Sequence, residues 1–592
     1  MKKREEIEEK YKWDLTEYIK DLDEWEQLFA YVKDNYKKIC KFEGNLNSKE
    51  NIYDCLMCEK DISEKLGLLG IYTSLKVKEN SKDSKYLNLY NRLSKLGTQI
   101  DEDCSFISSE LNLLSDEFIR SIIADPKFCD YDIMFENIIK NKKHMLGKSE
   151  EKLLSAVGEF SGDFGEIFDK IDTADIKFDD ATDSQGKKYE LNNSNYAKYT
   201  ISKDRTLRKS AYQNMNGAYG KLNNTLTAVY MGNVKSNNFY SKVRHFDSTM
   251  QASLFAEDVS KSVYDTLIAC VNENLGVFHR FFELKRKVLG QDDIAVYDMR
   301  VGTGKVEKEY SYDDAYDLVL KATKVLGEDY NQVMQQAKID RWLDVFANEG
   351  KDTGAFSWGY YKKHPVVLLN FEGTMSDVFT IAHEMGHSMH TYYSNLTQPA
   401  TKAGYEIFVA EVASTVNEML LLNFLLKNAS TKDEKIYYFD YLFKMFYSTI
   451  FRQTLFAEFE EHAHSAYQNG EDTTPEALND YYYNLNKRYF GESVTLVDEI
   501  KYEWSRIPHF YSSFYVYKYA TGLISAFYIA NKIFEGDKQT LDGYRKFLTL
   551  GATKKPVELL KVAGVDLEKK ETFDFVFLSI NSLLDEFENL IK

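Results

Sequence analysis

Proline and cysteine are both scarce in this 592-residue chain, with six of each. Proline at about a fifth of its ordinary usage forces few helix breaks, so long uninterrupted helices are expected. The cysteines (Cys40, Cys55, Cys58, Cys104, Cys129 and Cys270) are spread too thinly for a disulfide framework. That excludes a small cross-linked secreted scaffold and points to the reducing cytoplasm. Cys55 and Cys58 form a single CxxC with no second pair, which reads as helix packing rather than redox or metal chemistry. Positive charge is in deficit too: 75 Lys and Arg stand against 93 Asp and Glu, a net charge of −18. Nucleic-acid binding needs basic patches, so it is excluded, and an anionic membrane surface is disfavoured. No 18-residue apolar run is visible, and no apolar segment follows the basic Lys2-Lys3-Arg4. Neither a membrane span nor a signal peptide is expected.

What the chain has is aromatic and helical. It carries 43 Tyr and 38 Phe within a 44% hydrophobic composition, ample for a core. The length calls for more than one domain or one large composite unit. Trp25, Leu28, Phe29, Val32, Tyr36 and Ile39 recur at helical spacing over 22–42. Similar patterns cover 50–80, 84–112, 116–123, 149–171, 206–243 and 257–288, with no fixed-period repeat. Ile176–Phe178 and Lys188–Leu191, separated by a turn at 183–186, predict a β-hairpin near 175–192. The polar run 192–195 then marks a boundary between a region 1–195 and a region 196–592. Gly302-Thr-Gly304-Lys305 lacks the spacing and the preceding strand of a phosphate loop, and that reading is rejected.

One stretch carries chemistry: His383-Glu384-Met385-Gly386-His387. On an α-helix, residues four apart lie nearly one above the other, so two imidazoles can face one metal ion. Such a pair suits Zn²⁺, which lowers the pKa of a bound water toward about 7. Glu384 is placed to accept that water's proton. The flanking residues are mostly apolar, so the segment reads as a buried helix rather than a solvated one. A glycine inside it costs up to about 1 kcal/mol against alanine, and close approach of another element is one reason to accept that cost. Asp377, Ser376 and Thr374 compete to cap the helix. His364–Phe371 just before it predicts a strand, whose free edge could pair with an extended peptide.

Catalytic zinc usually keeps three protein ligands and one open position. Glu406 and Glu411 compete for the third. The apolar surroundings of Glu411 make a carboxylate costly there without a cation, whereas Glu406 can serve the dipole of a helix start. Spacing alone leaves both open. Glu418 is placed to support a ligand histidine by a hydrogen bond. His390 is offset from the ligand face and reads as core or supporting. Glu461-His462-Ala463-His464 puts its histidines on different helix sides and reads as structural.

The stretches 383–390, 407–415 (Ile-Phe-Val-Ala-Glu-Val-Ala-Ser-Thr) and 507–522 (Ile-Pro-His-Phe-Tyr-Ser-Ser-Phe-Tyr-Val-Tyr-Lys-Tyr-Ala-Thr-Gly) resemble the thimet oligopeptidase and neurolysin family of zinc metallopeptidases. The likeness runs from roughly 115 to 585. It implies His383, His387 and Glu411 as ligands of one Zn²⁺ per chain, and Glu384 as general base. It further implies His509 and Tyr517 at the substrate carbonyl and oxyanion, with Tyr511 and Tyr515 as nearby substrate-binding residues. The spacing between that histidine and the tyrosines departs from the thimet pattern. The implied fold is mainly α and two-lobed, with a deep central channel that admits short unfolded peptides and a small β-sheet next to the zinc helix. On this reading 196–592 is the catalytic metallopeptidase domain, and the protein is a cytoplasmic zinc endopeptidase for oligopeptides. Two rivals remain: a dipeptide-releasing carboxypeptidase on the same scaffold, and a peptide-binding protein with structural zinc, which would have no use for Glu384.

Overall fold

The structure is a computed structural model and describes residues 2–304 and 308–592. Lys305, which closes the rejected phosphate-loop segment, lies outside them. Helices dominate, with two small sheets among the described residues. The expected helical stretches are present but more finely broken. The 84–112 pattern forms Ser84–Cys104 and Phe106–Leu113, and the 257–288 pattern forms Lys261–Glu273 and Leu275–Val288. All six cysteines are free thiols, and Cys55 is packed in the core.

The chain forms two compact units, neither continuous in sequence. The first comprises Met1–Lys143, Lys308–Leu421 and Ile533–Lys554; the second comprises His144–Glu307, Leu422–Lys532 and Lys555–Lys592. The boundary expected near 195 therefore does not separate compact units, because 144–195 and 196–304 lie in the same one. In the first unit, Trp13, Trp25, Leu69, Ile119 and Phe135 share one hydrophobic core with Val366 and Leu368 of a three-stranded sheet. The N-terminal segment is thus part of the floor on which that sheet rests.

Within this sheet Val366–Leu368 is the central strand. It pairs parallel with Leu343–Asp344 and antiparallel with Phe356–Trp358. This overturns the expected free edge at 364–371: Val366, Val367 and Leu368 are wholly buried. An unbroken Val-Val-Leu-Leu run is the pattern of a strand covered on both faces. A free edge belongs instead to Phe356–Trp358, in a segment whose glycines suggest a loop, and Trp358 is exposed there. Ser357 Oγ lies 2.8 Å from Ser388 Oγ, which sets this edge strand beside the helix Met375–Thr397.

In the second unit the hairpin is smaller than expected. Ala181–Thr182 pairs with Lys188–Tyr189, and Ile176–Phe178 is not a strand. The core is aromatic, with Tyr230, Phe459, Trp504 and Phe510 in mutual ring contact. His462 stacks on Tyr481 at 3.5 Å while His464 is buried against Phe514, so the two histidines serve separate packing contacts.

Candidate active site

The helix Met375–Thr397 begins with a capping box. Thr374 Oγ1 accepts from the Asp377 amide at 3.3 Å, and Asp377 Oδ2 accepts from the Thr374 amide at 2.7 Å. Thr374 is therefore the cap, Asp377 completes it, and two of the helix-start donors are satisfied reciprocally. One turn separates His383 from His387, and their rings meet edge to face at 4.9 Å.

Glu411 sits on the next long helix, Ile407–Asn428. Its Oε2 lies 3.3 Å from Nε2 of both histidines. Ligand atoms about 2.0–2.1 Å from a tetrahedral zinc stand about 3.3 Å apart, so the separation suits a shared ion. Glu406, the rival carboxylate, stays exposed at the helix start. By length and composition this helix would also cross a membrane, but 67% of its most apolar window is buried within the protein.

The two helices touch at backbone distance. A Cβ on Gly386 would fall 2.6 Å from the Ala413 carbonyl oxygen and 2.6 Å from Ser414 Cα. That is the close approach which justifies a glycine inside the helix. Asn417 Nδ2 donates to the Ala382 carbonyl at 3.2 Å, and Tyr330 donates to Asn417 Oδ1 at 3.1 Å. Ser414 Oγ donates to Glu411 Oε2 at 3.0 Å. Ser414, Asn417 and Tyr330 escaped the sequence reading. Ser414 was legible in principle, standing one helical turn after Glu411, whereas Tyr330 is 87 residues from its partner. Glu418 Oε1 lies 2.6 Å from His383 Nδ1. Accepting the Nδ1 hydrogen fixes the ring so that Nε2 faces Glu411.

The electrostatics favour a cation. Burial opposes charging His383, yet Glu411 and Glu418 together raise its pKa from 6.5 to about 10. Burial also works against an ionised Glu411, but hydrogen bonds from His383 and His387 hold it well below the ordinary carboxylate range. Glu384 is 7% exposed, and burial pushes its pKa up. A carboxylate with raised proton affinity is a stronger base. His390 is stacked on Tyr405 at 3.7 Å, and burial lowers it to about 3, so it stays neutral and packs.

The late candidates lie in the second unit. His509 is exposed, and its Nε2 is 3.2 Å from the Tyr519 hydroxyl. Tyr515 completes this group, with its ring 5.4 Å from that of Tyr519. Tyr517 opens the helix Tyr517–Phe534 but is wholly buried, edge-on to Tyr264 at 5.3 Å. Tyr511 is partly buried and stacks on Phe168 at 4.7 Å. The structure therefore gathers His509, Tyr515 and Tyr519, and packs Tyr517 and Tyr511 into the unit's own interior.

The sequence profile of Peptidase family M3 matches residues 198–576, and that of Oligopeptidase F matches residues 110–178. The chain belongs to peptidase family M3. Its relatives include the Group B oligopeptidase PepB of Streptococcus agalactiae, 36% identical over 99% of this chain and 98% of that protein. The oligopeptidase PepF of Bacillus subtilis is 34% identical over 99% of this chain and 88% of that protein. Among solved structures, oligoendopeptidase-F from Enterococcus faecium superposes with a TM-score of 0.72 at 29% identity, covering 96% of this chain and 99% of that one. An M3 peptidase is a metallopeptidase, and its metal is usually zinc. The His383, His387 and Glu411 donors of this M3 chain, all within 4.8 Å of one another, fit such an ion.

Proposed function

We propose that this M3 peptidase is a zinc metalloendopeptidase that hydrolyses short oligopeptides in the cytoplasm. The observation that carries the reading is the convergence of His383, His387 and Glu411 on one point, with Glu384 one residue after the first histidine. When bound there, Zn²⁺ would acidify a water and polarise the scissile carbonyl. Glu384 takes the proton of the attacking water and passes it to the leaving amine. Glu418 holds His383 in the tautomer that offers Nε2, and Ser414 orients Glu411. The edge strand Phe356–Trp358 offers unpaired backbone groups to an extended peptide. His509 and Tyr519 are the pair we assign to the carbonyl oxygen as charge develops on it; Tyr519 replaces the buried Tyr517 in that role. The six free cysteines support the cytoplasmic placement.

Glu384→Gln should retain zinc and abolish turnover; full activity in that variant sinks the base assignment. Zinc content measured separately in Glu411→Ala and Glu406→Ala should fall only in the first. Product analysis on a peptide with a blocked C-terminus separates an endopeptidase, which cleaves it internally, from a dipeptide-releasing carboxypeptidase.

A further inference from the structure

The second unit holds an open cavity of about 330 Å³ with a charge pattern that the reaction chemistry above does not use. Arg300, Arg452 and Arg506 line it, and Glu503 is the only carboxylate among the lining residues. Glu503 is already engaged: its Oε2 lies 2.7 Å from Arg452 Nη2 and accepts the Tyr482 hydroxyl at 2.9 Å. Arg506 lies over the Tyr196 ring at 5.0 Å. Among the described residues neither Arg506 nor Arg300 has a carboxylate at ion-pair distance, although the chain carries 93 acidic residues. Glu503 therefore makes a direct ion pair with one of three guanidinium groups and acts on Arg506 only at longer range, so the cavity lining keeps an excess of positive charge. The planar fork of a guanidinium matches a carboxylate with two parallel hydrogen bonds. His509, assigned above to the scissile carbonyl, lines the same cavity. Its walls, which include Tyr196, Tyr447 and Phe490, have room for more than a bare inorganic ion.

We propose that this cavity binds a carboxylate of the peptide substrate, from its C-terminus or from an acidic side chain, through Arg506 and Arg300. The proposal rests on the peptidase reading and names a specificity element for it. It runs against the overall charge of −18, which by itself repels acidic peptides.

The test uses the full chain, zinc-loaded and carrying Glu384→Gln so that peptides bind without turnover. Dissociation constants are measured by calorimetry for one octapeptide lacking acidic residues, for its C-terminal amide, and for that amide with one internal Gln changed to Glu. At least one carboxylate form should bind tenfold or more tighter than the neutral amide, and which one identifies the source. Adding Arg506→Gln should erase the advantage, Arg506→Lys should keep part of it, and the exposed Arg300→Gln should reduce it without disturbing the fold. Equal affinities for all three peptides, or an advantage that survives the Arg506→Gln and Arg300→Gln pair, overturns the proposal. If the unmodified chain cleaves peptides while its Glu384→Gln form shows no carboxylate preference, this inference alone fails. If no peptide is bound or cleaved, the peptidase reading fails with it.

Discussion

Glu418 takes the Nδ1 hydrogen of His383, a bond that orients a ring proposed to hold zinc. Glu418→Ala should weaken zinc binding by about 10–100-fold while leaving the helices intact, as read by competition with a chelator and by circular dichroism. Unchanged affinity would make the bond ornamental. Glu460 offers a separate side-chain test. It is wholly buried and accepts the Phe514 amide at 2.7 Å, where Phe514 holds the left-handed φ of 57°. Burial pushes its pKa up to about 8 from 4.5, although the Phe514 amide and Lys518 oppose the rise. The folded protein therefore binds a proton that the unfolded chain has released. The stabilising contribution of that proton is complete below pH 4.5, declines between pH 4.5 and 8, and is gone above 8. Glu460→Gln should remove this decline, giving a protein whose chemical denaturation midpoint at pH 8 exceeds that of the parent and changes less with pH. A parent and variant with parallel pH profiles would contradict the assignment.

At the scale of elements, the site depends on two helices in backbone contact. Gly386→Ala gains about 1 kcal/mol of helix propensity. It also drives a methyl group to 2.6 Å from Ala413 and Ser414 main-chain atoms, which cannot rotate away. Overpacking of this kind costs about 1–3 kcal/mol, and here it also moves Glu411 relative to His383 and His387. Lower stability in urea together with weaker zinc retention is expected; loss of stability alone would mean that the helices separate without disturbing the ligand atoms. The glycine was legible in the sequence because an isolated glycine between two ligand histidines has little other reason to be there. The helical pattern was legible too, since its period is local. The edge strand was not. Val366–Leu368 carries the strong strand signal because it is buried on both faces, whereas Phe356–Trp358 follows Gly354 and includes Ser357, residues that read as a loop. The burial of Tyr517 was not legible for a related reason: the motif supplies several tyrosines, and their sequence positions do not separate buried from accessible ones.

At the scale of the molecule, sequence order and spatial order part company. The unit that carries His383, His387 and Glu411 draws on three separated segments, and the second unit on three others. Local periodicity carries no record of such interleaving, because each junction is a contact between residues hundreds of positions apart. Linkage still gives the assembled unit a measurable property. Free zinc at 100 times its dissociation constant should stabilise the unit that carries those three residues by about 2.7 kcal/mol, and a chelator should reverse the shift in calorimetry. A transition indifferent to the metal would mean that the ligands do not share one ion in solution. The segment Ile533–Lys554 bears on the same unit. Arg545 pairs with Asp329 at 2.7 Å, Thr397 Oγ1 donates to the Thr549 carbonyl at 2.6 Å, and the Phe547 ring lies against His390. The Thr549 and Phe547 contacts fall on the signature helix and are translated well after it. On a ribosome adding about 5–20 residues per second, the helix that bears both histidines waits a further half-minute or less for its final support. A product released before Ile533 would lack the Thr549 and Phe547 contacts to the helix that carries both histidines.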